Sequence, residues 1–181
     1  MKDKDQTDRN LASCEAPVDR DMFLQDVILD LADTIQNVVG AKDAKGFISI
    51  VGARMGDRLN ERYKKQAARS SLDRTEVAQV LVDLKNRIDG DFRVVEENDD
   101  RIVLVNGRCP FGSSVLGKPA LCMMTSNVFG RIAAENLGYA HIVIEEAIAL
   151  GHAGCRVVVN LKPDAETEGE GTEYFGMPAN E

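Results

Sequence analysis

Apolar residues recur at helical spacing three times before the chain changes character. From Met22, the positions Phe23, Val27, Leu31, Ile35 and Val38 fall on one face, and Gly40 is a natural stop. A second helical pattern runs from about Ala44, with Phe47, Ile48, Val51, Met55 and Leu59 on one side. Gly46, Gly52 and Gly56 interrupt it; an interior glycine costs up to about 1 kcal/mol against Ala, so the three predict close packing against another backbone. Asp73 and Glu76 then form a capping-box pattern ahead of Val77, Val80, Leu81, Leu84 and Ile88, with Gly90 following.

After Gly90 the period shortens to two. Phe92 to Glu97 and Arg101 to Gly107 are β-rich runs around the turn-forming Asn98-Asp99-Asp100, which predicts a hairpin. Pro119 opens a fourth helical stretch carrying Leu121, Met124, Val128 and Ile132, closing at Gly138. Two further strands are expected at His141 to Leu150 and Arg156 to Leu161. The order describes an α+β domain: three N-terminal helices, a hairpin, a helix and a second hairpin, with a four-stranded, mainly antiparallel sheet.

Residues 1–18 are polar and aperiodic, and 164–181 are rich in Glu, Gly and Thr, so both are expected to be disordered tails around one domain at 19–163. The C-terminal tail holds six acidic residues and no Lys or Arg, so most of the net charge of −8 lies there. The remaining body offers no broad basic surface, and direct nucleic-acid binding is not expected. Its one basic cluster, Arg62, Lys64, Lys65 and Arg69, suits the negative end of the second helix. No apolar run approaches a membrane span, and the N-terminus has no apolar signal core, so a cytoplasmic location is expected.

Four cysteines in a reducing compartment read as core residues, metal ligands or reactive thiols. Cys14 falls in the tail. Cys109 ends the second strand, Cys122 lies in the first turn of the fourth helix, and Cys155 starts the last strand. A helix start favours thiolate, the form that binds zinc or an iron–sulfur cluster. Such sites usually take four ligands, and His141, His152, Glu145 or Glu146 are the candidates for the fourth. Cysteine is also a favoured small core residue, which is the plainer reading.

Other motifs lose ground on inspection. Gly112 to Lys118 matches most of a phosphate-binding loop, but Pro119 replaces the hydroxyl that would hold Mg²⁺. Glu145 and Glu146 are neighbours in a strand, point to opposite faces and cannot work as a paired acid and base. Ser113 and Ser114 lack the elbow that exposes a nucleophile.

The run Gly107-Arg108-Cys109-Pro110-Phe111-Gly112, the Pro119-Ala120-Leu121-Cys122 segment, Phe129 and Gly138, and Gly151-His152-Ala153-Gly154-Cys155 before a β-run together resemble the methanogen output domain. That family is similar to the 4-vinyl-reductase-like sensor domains and to the sensor half of the Suf iron–sulfur repressor. The resemblance is best over 105–162. It implies a non-enzymatic sensor or output module of signalling and transcription, binding zinc or an iron–sulfur cluster through Cys109, Cys122 and Cys155. It also implies a homodimer, acting through a regulatory partner or as a stand-alone sensor. Two departures stand out: the Suf repressor has a further cysteine between the second and third, and the vinyl-reductase-like pattern has Glu-x-x-Cys before the last. The alternative is a sensor of a small hydrophobic ligand, held between helices and sheet near Phe47, Val51, Met55 and Met124, with structural cysteines. A reductase acting on a tetrapyrrole is a third class, suggested only by the related family's name.

Overall fold

The structure, a computed structural model, describes residues 18–163 and 171–176. Cys14 and the rest of residues 1–17 lie outside it, as do 164–170 and 177–181. The fold is α+β, with three helices against an antiparallel sheet.

Helix α1 (Arg20–Ala67) joins the first two predicted helices end to end. The expected stop at Gly40 survives as a break: its backbone there (φ 84°, ψ 162°) is not helical, a conformation glycine tolerates at little steric cost. Helix α2 (Arg74–Asn86) begins as predicted, with the Asp73 carboxylate accepting the Glu76 N–H at 2.8 Å and the Glu76 carboxylate accepting the Asp73 N–H at 3.0 Å. The predicted hairpin is β1 (Phe92–Glu97) and β2 (Arg101–Asn106). One 3₁₀ turn at Pro119–Leu121 leads into α3 (Cys122–Leu137), which Gly138 closes.

The second pair is β3 (Tyr139–Glu146) and β4 (Cys155–Asn160). Strand β3 ends short of Leu150, because its pairing with β4 becomes irregular between Ile144 and Glu146 and the chain then coils into a 3₁₀ turn at Ile148–Leu150. A fifth strand, β5 (Thr172–Phe175), corrects both the four-strand sheet and the assignment of 164–181 to a tail throughout. The Tyr174 ring provides the reason. It lies so close to Gly130 of α3 that a Cβ there would overlap it, and its hydroxyl is 3.0 Å from Ser126 Oγ. The aromatic edge contact between Phe175 and Tyr139, centroids 5.5 Å apart, adds to it.

The strand order is β1-β2-β4-β3-β5, every neighbouring pair antiparallel. The two hairpins therefore meet along β2 and β4. Their register sets Asn106 opposite Cys155 at one end and Arg101 opposite Asn160 at the other.

Helix α3 covers the sheet and α1 lies against α3. The core between them includes Phe129 and Ile132 of α3, Leu81 of α2, and Ile102, Leu104 and Ile142 of the sheet. At the α1–α3 crossing, a Cβ on Gly52 would sit 2.8 Å from Asn127 Cβ, and one on Gly56 2.8 Å from Arg131 Cβ and 3.2 Å from Val128 Cα. The close backbone approach predicted for the glycines is met at these two. Gly46 has nothing within 4 Å, so its place in the pattern has no packing cause.

Polar groups fix the same crossing. Arg131 donates to Asp57 at 2.7 Å, and the buried Asn60 carbonyl accepts from Asn136 at 2.7 Å. Burial pushes the Tyr63 pKa up to about 12, helped by the hydrogen bond it donates to Asp83 of α2 at 2.7 Å. Further toward its start, α1 packs through Leu29 and Ala32 against Val115, Ala120 and Leu121 of the segment that joins β2 to α3, and Asp33 pairs with Lys118 at 3.0 Å.

Candidate functional site: an apolar cavity with a buried lysine

The β2–β4 register determines where the cysteines go. Cys155 opens β4 opposite Asn106, and Cys109 follows three residues later on the β2 chain, so both occupy one corner of the sheet. The start of α3 brings Cys122 to the same corner. All three are half-buried free thiols lining one cavity of about 250 Å³.

Asn106 organises this corner. Its carbonyl accepts the Cys155 N–H at 2.8 Å, while its amide donates to the Gly90 and Arg108 carbonyls at 2.8 and 2.7 Å. One side chain thereby ties the entry to β1, the exit of β2 and the start of β4. Replacing it with alanine leaves two carbonyls and one N–H to find other partners in a largely buried place. Asn106→Ala is expected to lower stability by about 2 kcal/mol, read from the denaturation midpoint at unchanged m-value.

The rest of the wall is mainly hydrocarbon. Helix α1 contributes Met55 and Leu59; Leu84 and Ile88 come from α2 and the turn after it. Met124, Thr125 and Val128 come from α3, and Phe92, Ile144 and Val157 from the sheet. The connecting segments close it with Phe111, Val115, Leu121 and Ala149. Of the residues expected beside a hydrophobic pocket, Met55 and Met124 are there. Phe47 and Val51 are not; both are more than half exposed on α1.

Lys85 is the residue the sequence pattern passes over. It follows Leu81 by four positions and so shares the buried stripe of α2, where a lysine among Leu and Val reads as a neighbour of the core. That spacing was the available signal. The side chain is 7% exposed, and its ammonium donates to Thr125 Oγ1 at 2.7 Å. The ammonium also lies 5.6 and 5.4 Å from the Phe92 and Phe129 ring centroids. Burial pulls its pKa down to about 8, partly opposed by the neighbouring Cys109, Cys155 and Cys122. Among the described residues no carboxylate forms an ion pair with it.

The thiolate expected of Cys122 is not what its surroundings favour. Burial pushes this thiol up to about 11, with Cys155 and Cys109 adding to the shift, and burial raises Cys109 as well. The backbone N–H of Cys122 at the helix start favours the thiolate, but less than burial and the neighbouring cysteines oppose it.

Neither histidine completes a ligand set. His141 pairs with Asn160, at the end of β4 opposite Cys155 and about 16 Å away along the strand. His152 is held in the turn, its Nδ1 3.1 Å from the backbone N and O of Ala147. Glu145 is exposed and bridges to Arg156 at 2.5 Å. Among the described residues no group of three or more His, Cys, Asp or Glu side chains could hold a metal ion. The three thiols share a cavity without forming a metal-binding cluster, and the donors present do not fit the zinc or iron–sulfur expectation.

Residues 27–160 match the methanogen output domain 1 family. The chain belongs to this family. The match extends well upstream of the cysteine-bearing half and takes in most of α1, the part in which no sharp motif is visible. No curated protein matches the sequence. Among solved structures, the domain is similar to the phenol-responsive sensory domain of the transcription activator PoxR with phenol, at a TM-score of 0.61 and 12% identity over 75% of this chain and 73% of that one. It is also similar to a trafficking protein particle complex subunit 3 from Naegleria fowleri covalently bound to palmitic acid, at a TM-score of 0.55 and 12% identity over 78% of this chain and 97% of that one. At such identities the methanogen output domain shares a fold with both. Among the described residues no helix is long and apolar enough to cross a membrane.

Proposed function

We propose that this methanogen output domain is a non-enzymatic sensor whose cavity binds a small, largely apolar molecule. The observation that carries the reading is the cavity itself, walled by all three helices' side of the domain and by the sheet. A pocket of about 150 Å³ accepts benzene, so about 250 Å³ suits roughly ten non-hydrogen atoms. The phenol of the PoxR domain and the palmitic acid of the trafficking subunit are molecules with apolar bodies, in keeping with this reading.

Binding would act on α1. Met55 and Leu59 line the cavity, while Phe23, Leu31, Phe47 and Ile50 of the same helix are exposed apolar residues. A ligand that favours one seating of α1 shifts the population of whatever engages that outer face. The partner proposed for it is a second copy of the chain, which would make the sensor a homodimer.

Native mass spectrometry with propylbenzene, a neutral nine-carbon probe, tests these points together. The expected result is one probe per chain, loss of that binding in Ala149→Leu, and a mass near twice 19.8 kDa. Absence of probe binding would remove the ligand reading. A zinc ion or iron–sulfur cluster retained by the protein would overturn the assignment of the three thiols to the cavity wall. A mass of one chain would remove the dimer.

A further inference from the structure

The cavity is apolar except at one end, where a lysine ammonium is buried. A lysine has three N–H donors, and Thr125 takes one. The acid groups facing the ammonium are thiols: Cys122 from α3, Cys109 from the segment after β2, and Cys155 from β4. Burial raises Cys109 and Cys122, so neither supplies a thiolate near neutral pH. From α2 itself, β1 and α3 the other neighbours are Leu84 and the Phe92 and Phe129 rings, whose faces attract a cation weakly and carry no charge. At pH 7 a pKa of about 8 leaves the amine about nine-tenths protonated. The result is a positive charge in a low-dielectric site with no carboxylate to offset it.

We infer that the ligand is an amphiphilic acid, its oxyanion paired with the Lys85 ammonium and its hydrocarbon body lying against Met55, Leu59, Val128 and Val157. This rests on the reading of the cavity as a ligand site and specifies what that site selects. A carboxylate is the head group the geometry favours. It can accept from Lys85 and from the Thr125 hydroxyl, and the Asn106 side chain, already committed on both its oxygen and its nitrogen, need not move. Cys109 and Cys122, kept protonated by burial, then provide a neutral, polarisable surround for the head group. The body is limited to about eight carbons by the space available.

Titration calorimetry with octanoate and 1-octanol, which share a chain and differ in the head, tests the inference at pH 7. Octanoate is expected to bind the unaltered protein, with Lys85→Met weakening it roughly tenfold or more and changing octanol affinity by less than about threefold. A second measurement needs no variant: above the lysine's titration, octanoate affinity should fall between about twofold and eightfold from pH 8.5 to 9.5, while octanol affinity holds. Equal affinity for the two probes, or an octanoate affinity insensitive to both the substitution and pH, overturns the acid and leaves the apolar cavity standing. If propylbenzene and octanol also fail to bind, the cavity reading falls with it.

Discussion

Gly56→Leu is expected to destabilise the protein by about 3 kcal/mol or more and to abolish ligand binding. A Cβ at this position meets not a pliable side-chain tip but Arg131 Cβ at 2.8 Å, Val128 Cα at 3.2 Å and the Asn127 carbonyl at 3.3 Å, all of them fixed to the backbone of α3. Neither helix can yield locally, so α1 must lift. Lifting it strains the Asp57–Arg131 and Asn60–Asn136 contacts on the same and the next turn and withdraws Met55 and Leu59 from the cavity. Chemical denaturation reads the stability, and propylbenzene binding reads the cavity. A variant of near-native stability would show that α1 is held by something other than this crossing. Gly46→Leu is the control: with nothing within 4 Å of that position, it should cost little or even help through better helix propensity.

The second large effect runs in the opposite direction. Lys85→Met is expected to stabilise the ligand-free protein at pH 7 by about 2 kcal/mol, because it replaces a buried ammonium with an isosteric thioether chain among apolar neighbours. The size follows from the pKa, which falls from 10.5 to about 8 on folding, less the Thr125 hydrogen bond that the variant loses. The pH dependence has a fixed sign. Below about pH 8 the lysine is charged in both folded and unfolded protein, and the folded state bears the whole burial penalty. Between about 8 and 10.5 the folded protein has released this proton while the unfolded chain still holds it, so the unaltered protein gains on the variant as pH rises. The advantage of Lys85→Met should therefore shrink through that window and be lost above it. Cys122, whose folded pKa is raised to about 11, acts in the other direction at alkaline pH, but it does so in both proteins and largely cancels in the difference. A variant less stable than the parent at pH 7 would mean that the ammonium's contacts with Thr125 and the two rings outweigh its desolvation.

These two effects bear on the same function. A sensor can hold an unfavourable charge in its pocket if the ligand supplies the counter-charge, since the penalty in the free state then becomes selectivity in the bound one. Stability without ligand and affinity for an acid would trade against each other at Lys85. Gly56 plays a different part, keeping α1 close enough to form the cavity at all.

Much of the fold was legible in local sequence. Asp73 and Glu76 placed the start of α2 because a capping box satisfies its N–H groups within four residues. Asn98-Asp99-Asp100 marked the first hairpin, and Gly40 marked the break in α1, since both depend on short-range backbone geometry. The three cysteines were singled out correctly as neighbours, each falling at the end of an element. What they surround was not legible. Whether thiols at a corner bind a metal, or stay protonated beside an apolar space, depends on distances and burial set by the β2–β4 register and the seating of α3.

The sequence by itself thus determined the helices, four of the strands and the corner where β2 ends and β4 begins, because caps, turns and periodicity act over a few residues. Tertiary structure decided the rest. Strand β5 exists because Tyr174 and Phe175 find Gly130, Ser126 and Tyr139, residues 36 to 48 positions away, and their short segment carries no strong periodic pattern of its own. Lys85 became the polar end of a cavity only when α2 turned its buried stripe toward β1 and α3. A lysine's charge state and partners are properties of the space around it, and that space is built by parts of the chain far from residue 85.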